Sequence, residues 1–241
     1  MCRTAHIHRS ADGRVSLVYY EPGEEIAAHR HDFGQMSFVL TGDYVEESIA
    51  GRTHVPGPAF GTKPAGYEHA NVFGPAGTLI LSVSLPAEAG IGTYDVVHAP
   101  DTGQARAAPV DATTAAVLAD LGADRLATGS RIVRGRPKPV WLAEAQGALT
   151  AARRPVGSLA RQLGLHPVAF ARAFRRATGM SPVAFRTSRR LAWAVRATVL
   201  DTTPLADLAL EAGFADQAHF SRAVRAATGV APQRLRALLA S

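Results

Sequence analysis

The C-terminal third of the chain contains one motif twice. "FARAFRRATGMSP", residues 170–182, returns fifty residues later as "FSRAVRAATGVAP", residues 220–232, with 8 of 13 positions identical. In each copy a run of helix-forming residues ends at a glycine, and a proline opens the next helix three residues later. The duplication predicts two equivalent helical units in this region.

Helical patterning extends over the whole of residues 139–241. Apolar residues recur every three or four positions, and glycine and proline interrupt the pattern at regular intervals. The pattern predicts seven helices, at residues 140–152, 156–163, 167–178, 182–200, 204–212, 216–228 and 232–240.

Small residues inside each copy indicate how its helices are joined. Ala160 lies at the expected helix crossing, Gly164 at a sharp turn, and Phe170 on the inner face of the following helix. Only a small residue fits such a crossing, and glycine takes a positive φ at the turn without strain. These features predict two helix-turn-helix units, because the second copy repeats them, with one more residue in the turn, at Ala209, Gly213 and Phe220.

Charge is distributed unevenly along the chain. Residues 1–110 carry 7 basic and 12 acidic side chains, whereas residues 151–241 carry 14 basic and 4 acidic ones, and all 14 are arginine. Arginine suits bidentate contact with phosphate or guanine, so the basic third is predicted to face a polyanion. The alternative on charge alone is a solvated helical face.

The second helix of each unit has distinct inner and outer faces. In the first unit Phe170, Phe174 and Ala177 point inward, and Phe220, Val224 and Ala227 do so in the second. The opposite face of each helix is predicted to contact DNA, its N-terminal half meeting base edges and its later arginines meeting phosphate. From this pattern the candidate residues are Val168, Arg172, Arg175 and Arg176 in the first unit, and Gln217, Ala218, Ser221, Arg222 and Arg225 in the second.

The two units together resemble the DNA-binding domain of AraC-type transcriptional regulators over residues 139–238. The most specific part is "GFADQAHFSRA", followed by the spaced Thr-Gly, Pro and Arg. The resemblance implies that the base-facing residues are Val168, Ala171 and Arg172, and Gln217, Ala218, Ser221 and Arg222. His166 stands where the family often has a capping serine, and Val224 replaces the usual phenylalanine.

The N-terminal part of the chain has the pattern of a β domain. Between residues 15 and 85, short apolar or alternating runs are separated by Pro/Gly turns, which favours a sandwich or small barrel. His6 and His8 precede this pattern and are assigned no role. Residues 101–138 are predicted to be a linker, with a helix at 111–121 that either contacts a second subunit or packs on the sheet.

Three histidines are candidates for a metal site or for an effector site without metal in this β domain, with a structural role as the remaining alternative. His29 and His31 lie two residues apart, so on an extended strand they share one face with Gln35, and a turn can bring His69 alongside. Such a set suits a divalent transition metal. The segment resembles the cupin fold over residues 15–86, at Gly23, His29, His31 and Gly42 and at Pro64, Gly66 and His69. Gln35 stands where metal-binding cupins usually have glutamate.

The sequence therefore predicts an α+β protein of two domains. Residues 1–100 form a cupin-like β-barrel or jelly-roll sensor, 101–138 the linker, and 139–241 two helix-turn-helix units joined by a linker helix. The predicted recognition helices are residues 167–178 and 216–227, reading successive major grooves of double-stranded DNA. In AraC-type regulators the cupin commonly binds an effector and helps the protein dimerise, which implies a small-molecule or metal effector and a homodimer. RNA polymerase is a candidate partner.

Two other functions remain open. One is a metal-dependent cupin enzyme tethered to DNA, in which Glu68 is the candidate base and no other carboxylate is evident near the histidines. The other is an architectural DNA binder without sequence preference. We expect a soluble, cytoplasmic protein, because there is no apolar leader or span and the single cysteine, Cys2, excludes an internal disulfide.

Overall fold

The computed structural model describes residues 2–10, 13–87, 91–98, 130–132, 139–151 and 155–240. The predicted linker helix at 111–121, and all of the linker except residues 130–132, lie outside the described residues.

The described N-terminal part forms one nine-stranded antiparallel sheet. Its main path runs β1-β2-β7-β4-β6-β8-β9, while β3 pairs with β7 and β5 pairs with β4. The strands are β1 (Arg3–Ser10), β2 (Gly13–Tyr20), β3 (Glu25–His29), β4 (Gly34–Ser48), β5 (Gly51–Pro56), β6 (Ala59–Lys63), β7 (His69–Leu85), β8 (Asp95–His98) and β9 (Ser130–Arg131).

The long strands β4 and β7 form the centre of the sheet. They pair antiparallel along most of their length, with Phe38 opposite Leu81. Consecutive residues from Met36 to Gly42 are all buried, which an alternating half-exposed strand would not show. Both faces of this stretch are therefore covered, one by the sheet interior and the other by the C-terminal helices.

Strand β1 was not predicted from the sequence. Arg3–Ser10 pairs with β2, and the His6 ring Nδ1 lies 3.0 Å from the Ser16 hydroxyl. His6, to which the sequence analysis assigned no role, therefore lies within a strand of the sheet. Ala5 and Ile7 are the only apolar residues of this strand, so its sequence carries little of the apolar pattern that indicates a strand.

Seven helices follow the sheet in the described residues. They are α1 (Leu142–Ala151), α2 (Val156–Gln162), α3 (Pro167–Thr178), α4 (Pro182–Leu200), α5 (Leu205–Glu211), α6 (Gln217–Thr228) and α7 (Pro232–Leu238). Each of the seven predicted helices is present, with ends within two residues of the prediction. The α+β class, with a sheet domain followed by an all-α pair of units, is confirmed.

Helix α4 joins the two helical units and also lies against the sheet. Its Val195 and Val199 belong to one buried cluster with Leu17 and Phe38 of the sheet. The Ser188 hydroxyl donates to the Gly57 carbonyl oxygen at 2.9 Å. None of the described helices combines the length and the hydropathy of a membrane span.

Candidate nucleic-acid interface and histidine cluster

The two helix-turn-helix units have the same backbone construction. Ala160 and Ala209 are fully buried at the helix crossings. Gly164 has φ +71° and Gly213 has φ +77°, so both turns need the left-handed conformation that glycine adopts at little cost. After each turn the next amide donates back to the crossing alanine, at 2.9 Å in the first unit and 2.8 Å in the second. The predicted roles of these residues are confirmed.

The inner faces of α3 and α6 are anchored by aromatic and aliphatic side chains. Phe170 and Phe174 are fully buried in the first unit, as are Phe220 and Val224 in the second. Ala177 is partly buried and Ala227 is buried. The helical period therefore turns the opposite face of each helix outward.

The outward faces hold the residues predicted to meet DNA. Most are exposed, and Ala171 and Ser221 are partly buried at the edge of the face. The exposed ones are Val168, Arg172, Arg175 and Arg176 on α3, and Gln217, Ala218, Arg222 and Arg225 on α6. Each helix thus presents two arginines three residues apart, Arg172 with Arg175 and Arg222 with Arg225.

The N-termini of α3 and α6 are capped unequally. Asp216 accepts a hydrogen bond from the His219 backbone N–H at 2.6 Å. In the first unit the His166 ring accepts from the Val168 N–H at the long distance of 3.4 Å. The carboxylate is the stronger cap, because it also carries a charge that suits the positive end of the helix dipole.

Three arginines of the basic third serve the interior contacts of the protein. Arg190 donates to the carbonyl oxygens of Ala212 and Gly213, and its guanidinium lies 4.6 Å from the centre of the Phe214 ring. Arg236 donates to the backbone oxygens of Thr198 in the last turn of α4 and of Thr203 in the α4–α5 connection, and Arg189 forms an ion pair with Asp43 of the sheet. The prediction that the arginines of this region face a polyanion therefore does not hold for these three.

His29, His31 and His69 lie together at one end of the sheet. One ring nitrogen from each falls within 4.8 Å of the others. His29 ends β3 and is the register partner of His69, the first residue of β7. His31 follows the strand rather than extending it, which corrects the expectation that both residues lie on one strand. The ring centres of His29 and His31 are 4.8 Å apart.

Backbone carbonyls orient two of the three rings. The Nδ1 atom of His29 lies 2.9 Å from the Ala27 oxygen, and that of His69 lies 3.2 Å from the Tyr67 oxygen. A carbonyl oxygen only accepts, so Nδ1 carries the proton and Nε2 is the free lone pair of each neutral ring. A hydrogen bond from Nδ1 to a backbone carbonyl fixes the orientation of the ring and leaves Nε2 able to bind a metal.

Burial keeps two of the rings neutral. It lowers the pKa of His31 to about 4, with the His29 and Lys63 charges acting in the same direction. Burial also lowers the pKa of His69 to about 4, aided by Lys63 and opposed by the hydrogen bond to the Tyr67 carbonyl. Metal ligation requires neutral imidazole, so the donor set and its protonation fit a divalent transition metal.

A buried charged pair adjoins the histidines. Glu46 is the register partner of Asn71, two residues beyond His69, and its carboxylate lies 2.6 Å from the Lys63 ammonium and 3.4 Å from the Asn71 amide. Only one carboxylate oxygen makes these contacts. The other, Oε1, is buried and has no hydrogen-bond partner in the described part of the chain. Gln35 is opposite Lys63 in the sheet, and its amide donates to the Ser82 hydroxyl at 3.0 Å.

The sequence expectation that no carboxylate other than Glu68 lies near the histidines is therefore wrong. The signal was the alternation of Tyr44 and Glu46 in "DYVEES", which places both side chains on the inner face of β4. Glu68 itself forms an exposed ion pair with Arg30 at 2.7 Å. Among the described residues, neither the Glu46 nor the Glu68 carboxylate forms a hydrogen bond with any of the three rings.

The helical region defines the class of this part of the chain. Two helix-turn-helix units with exposed, arginine-bearing second helices, joined by one long helix, are the architecture of a DNA-binding domain. Residues 159–237 match the family model described as "Helix-turn-helix domain". The match supports a DNA-binding transcriptional regulator. The predicted order, a sheet domain followed by two such units, is confirmed by the architecture, and the match covers the helical part.

Comparison with known proteins gives distant structural neighbours. No curated protein matches the chain. The C-terminal domain of AraT, a response regulator from Geobacillus stearothermophilus, is 23% identical over 42% of this chain and 88% of that chain, with a TM-score of 0.39. ToxT from Vibrio cholerae O395 is 8% identical over 95% of this chain and 99% of that chain, with a TM-score of 0.39.

A neighbour of the sheet alone is a cupin superfamily protein from Desulfitobacterium hafniense DCB-2. It is 16% identical over 36% of this chain and 78% of that chain, with a TM-score of 0.34. None of the three TM-scores reaches 0.5, so the assignment rests on the family match and on the geometry described above.

Proposed function

We propose that the protein is a sequence-specific transcriptional regulator in which α3 and α6 read successive major grooves of double-stranded DNA. The observation that carries this proposal is the repetition of one exposed arginine pair on equivalent helices, Arg172 with Arg175 and Arg222 with Arg225. Helix α4, 19 residues long, holds the two units in one body. Successive major grooves on one face of the duplex are about 34 Å apart, a spacing that suits two such helices.

Within each helix the proposed contacts divide into two kinds. The residues of the N-terminal half meet base edges, because that half enters the groove first. They are Val168, Ala171 and Arg172 in α3, and Gln217, Ala218, Ser221 and Arg222 in α6. Arginine pairs with guanine O6 and N7, glutamine pairs with adenine, and the small residues leave room for a thymine methyl. The later Arg175, Arg176 and Arg225 meet phosphate.

The test begins with selection of a preferred site from random double-stranded DNA. Arg172→Ala and Arg222→Ala are then measured on that site and on an unrelated duplex. Each should cost about 1–3 kcal/mol on the preferred site and much less on the other. Arg196→Ala is the control, because Arg196 is an exposed arginine of α4 that acts electrostatically on Tyr19 of the sheet.

Equal weakening on every DNA would contradict sequence-specific reading and favour an architectural binder. Arg175→Ala gives a second, independent readout. If Arg175 contacts phosphate, its loss should weaken binding equally on all DNA sequences. It should also reduce the slope of log affinity against log salt by about 0.9.

We also propose that the sheet domain binds the effector at His29, His31 and His69, with Gln35 at the edge of the site. Three imidazoles would hold a divalent transition metal, which would supply positive charge and open coordination positions for an anionic or oxygen-bearing ligand. Effector binding would shift the populations of arrangements in which the two units engage DNA. Homodimer formation and contact with RNA polymerase belong to the same proposal.

The metal content of untagged protein tests this part, beside a His29→Ala, His31→Ala variant. We expect about one equivalent of metal per chain, lost in the variant, and a change in DNA affinity on metal removal. Absence of metal from both proteins would contradict the metal site. Turnover of a substrate by the metal-loaded protein would favour the enzyme, whereas a change confined to DNA affinity favours the regulator.

A further inference from the structure

A second cavity lies between the sheet and the helices, away from the histidine cluster. Its volume is about 280 Å³, at the small end of the range for sites that bind small molecules. Its larger lining side chains are mostly apolar and come from both parts of the protein. They are Leu40 and Pro58 of the sheet domain, His98 of β8, and Met180, Ala184 and Leu191 from the helical domain.

The position of this cavity connects both helix-turn-helix units to the sheet. Gly179, which ends α3, and Ala227, in the last turn of α6, both contribute to its wall. An occupant would therefore touch the C-terminal ends of both proposed recognition helices and strand β4 together.

His98 provides the ring nitrogens of the cavity, whose lining also includes the hydroxyl-bearing residues Thr41, Thr187 and Ser188. Burial lowers the pKa of this ring, and the His54 charge acts in the same direction, so the ring is neutral at neutral pH. A neutral imidazole offers one donor and one acceptor. In the part of the chain that the structure describes, neither nitrogen of the His98 ring has a hydrogen-bond partner.

The lining also indicates the charge of the occupant. None of the described residues around the cavity carries a formal charge. An ionised group placed here would lose its hydration without gaining a partner, which is strongly unfavourable. An apolar molecule with a single hydroxyl, carbonyl or N–H group satisfies both the walls and His98.

We propose that this cavity binds a small, uncharged and largely apolar molecule whose one hydrogen-bonding group meets His98. Its binding changes the relative placement of α3 and α6 and hence the affinity for DNA. The effect on DNA rests on the function proposed above, whereas the binding itself does not. The site is separate from His29, His31 and His69, none of which lines the cavity.

The probe for the test is N-phenyl-1-naphthylamine, a neutral two-part aromatic molecule with one N–H, whose fluorescence rises in apolar surroundings. It is titrated into the full chain and into two matched variants of α4. Ala184→Phe fills the cavity, whereas Val183→Phe adds an equal ring at the adjacent position, which is 62% exposed and does not line the cavity. We expect saturable binding that Ala184→Phe weakens by about tenfold or more and Val183→Phe leaves within about twofold.

Thr187→Phe, one turn further along α4, is a second filling variant if Ala184→Phe does not fold. His98→Ala should also weaken the probe, because the hydrogen bond is lost. Absence of saturable binding, or equal weakening in the filling and control variants, would overturn the site. Site-specific binding with no change in affinity for the selected DNA would overturn the coupling. Failure of the proposed function is distinct, since it would appear as absence of sequence-selective DNA binding without the probe.

Discussion

Arg189 of α4 and Asp43 of β4 form an ion pair that joins the helical domain to the sheet. Both side chains are mostly buried, at 16% and 15% exposure, and His54 Nε2 lies 2.9 Å from the other Asp43 oxygen. Burial raises the pKa of Asp43, but the hydrogen bond with His54 and the Arg189 charge outweigh it and hold the pKa below its usual value.

Breaking this pair should destabilise the protein. Arg189→Gln leaves the Asp43 carboxylate buried without the arginine charge, a change that costs about 3 kcal/mol in the free energy of unfolding. Urea unfolding measures this cost. Arg30→Gln is the control, because it breaks an exposed ion pair with Glu68 and should cost at most about 1 kcal/mol. Similar costs for the two variants would show that the Asp43 contact is not buried in solution.

The contact of Gly179 with the sheet gives a second prediction. Gly179 has φ +77°, and an added Cβ would overlap the His98 ring. Gly164 has φ +71° with open space around it, so Gly164→Ala carries the backbone strain alone, about 1–2 kcal/mol. Gly179→Ala should lower stability by more than this.

The His98 ring supplies the check on that prediction. In a His98→Ala background the overlap is removed, so the two glycine variants should then lose similar amounts of stability in urea unfolding. If Gly179→Ala stays the more costly change in that background, the contact with His98 is not its cause.

The helical region could be predicted closely because its signals are local. Glycines and prolines that end and begin helices, and the 3.6-residue apolar period, depend on neighbouring residues alone. The exposed face of α3 and α6 followed from the same period. The roles of Arg189, Arg190 and Arg236 could not, since each bonds to residues at least 22 positions away.

The sheet was predicted less completely because its pairing is not local. Strand β8 is only four residues long, and β1 has few apolar residues, so neither has a strong period. The His29–His69 contact was foreseen as a consequence of one turn. The Glu46–Lys63 pair was not, because it depends on the register of β4 with both β6 and β7.

The buried histidines predict a pH dependence of stability in the metal-free protein. The folded state lowers the pKa of His31 and His69 from 6.5 to about 4, so between these values the unfolded chain binds more protons. The stability that the two neutral rings contribute is therefore complete above pH 6.5 and is lost as the pH falls towards 4. Each ring contributes at most about 1.4 kcal/mol per pH unit.

Urea unfolding at several pH values in a chelator measures this slope. In a His31→Gln, His69→Gln variant the free energy of unfolding should change less between pH 4 and 6.5. The slope that remains includes a contribution from His98 in the same direction. A wild-type curve without slope between pH 4 and 6.5 would show that the rings are solvated rather than buried.

For the Lys63–Glu46 pair, we expect that replacing both residues destabilises the protein less than replacing the lysine alone. The Glu46 side chain is 1% exposed and the Lys63 side chain 11%, so Lys63→Met leaves a buried carboxylate without its cation. That single change should cost about 3–5 kcal/mol in the free energy of unfolding. Adding Glu46→Gln removes the orphaned charge while keeping an acceptor for the Asn71 amide, so the double variant should recover most of the loss. A double variant no more stable than Lys63→Met would place the cost in packing of the lysine stem rather than in the uncompensated charge.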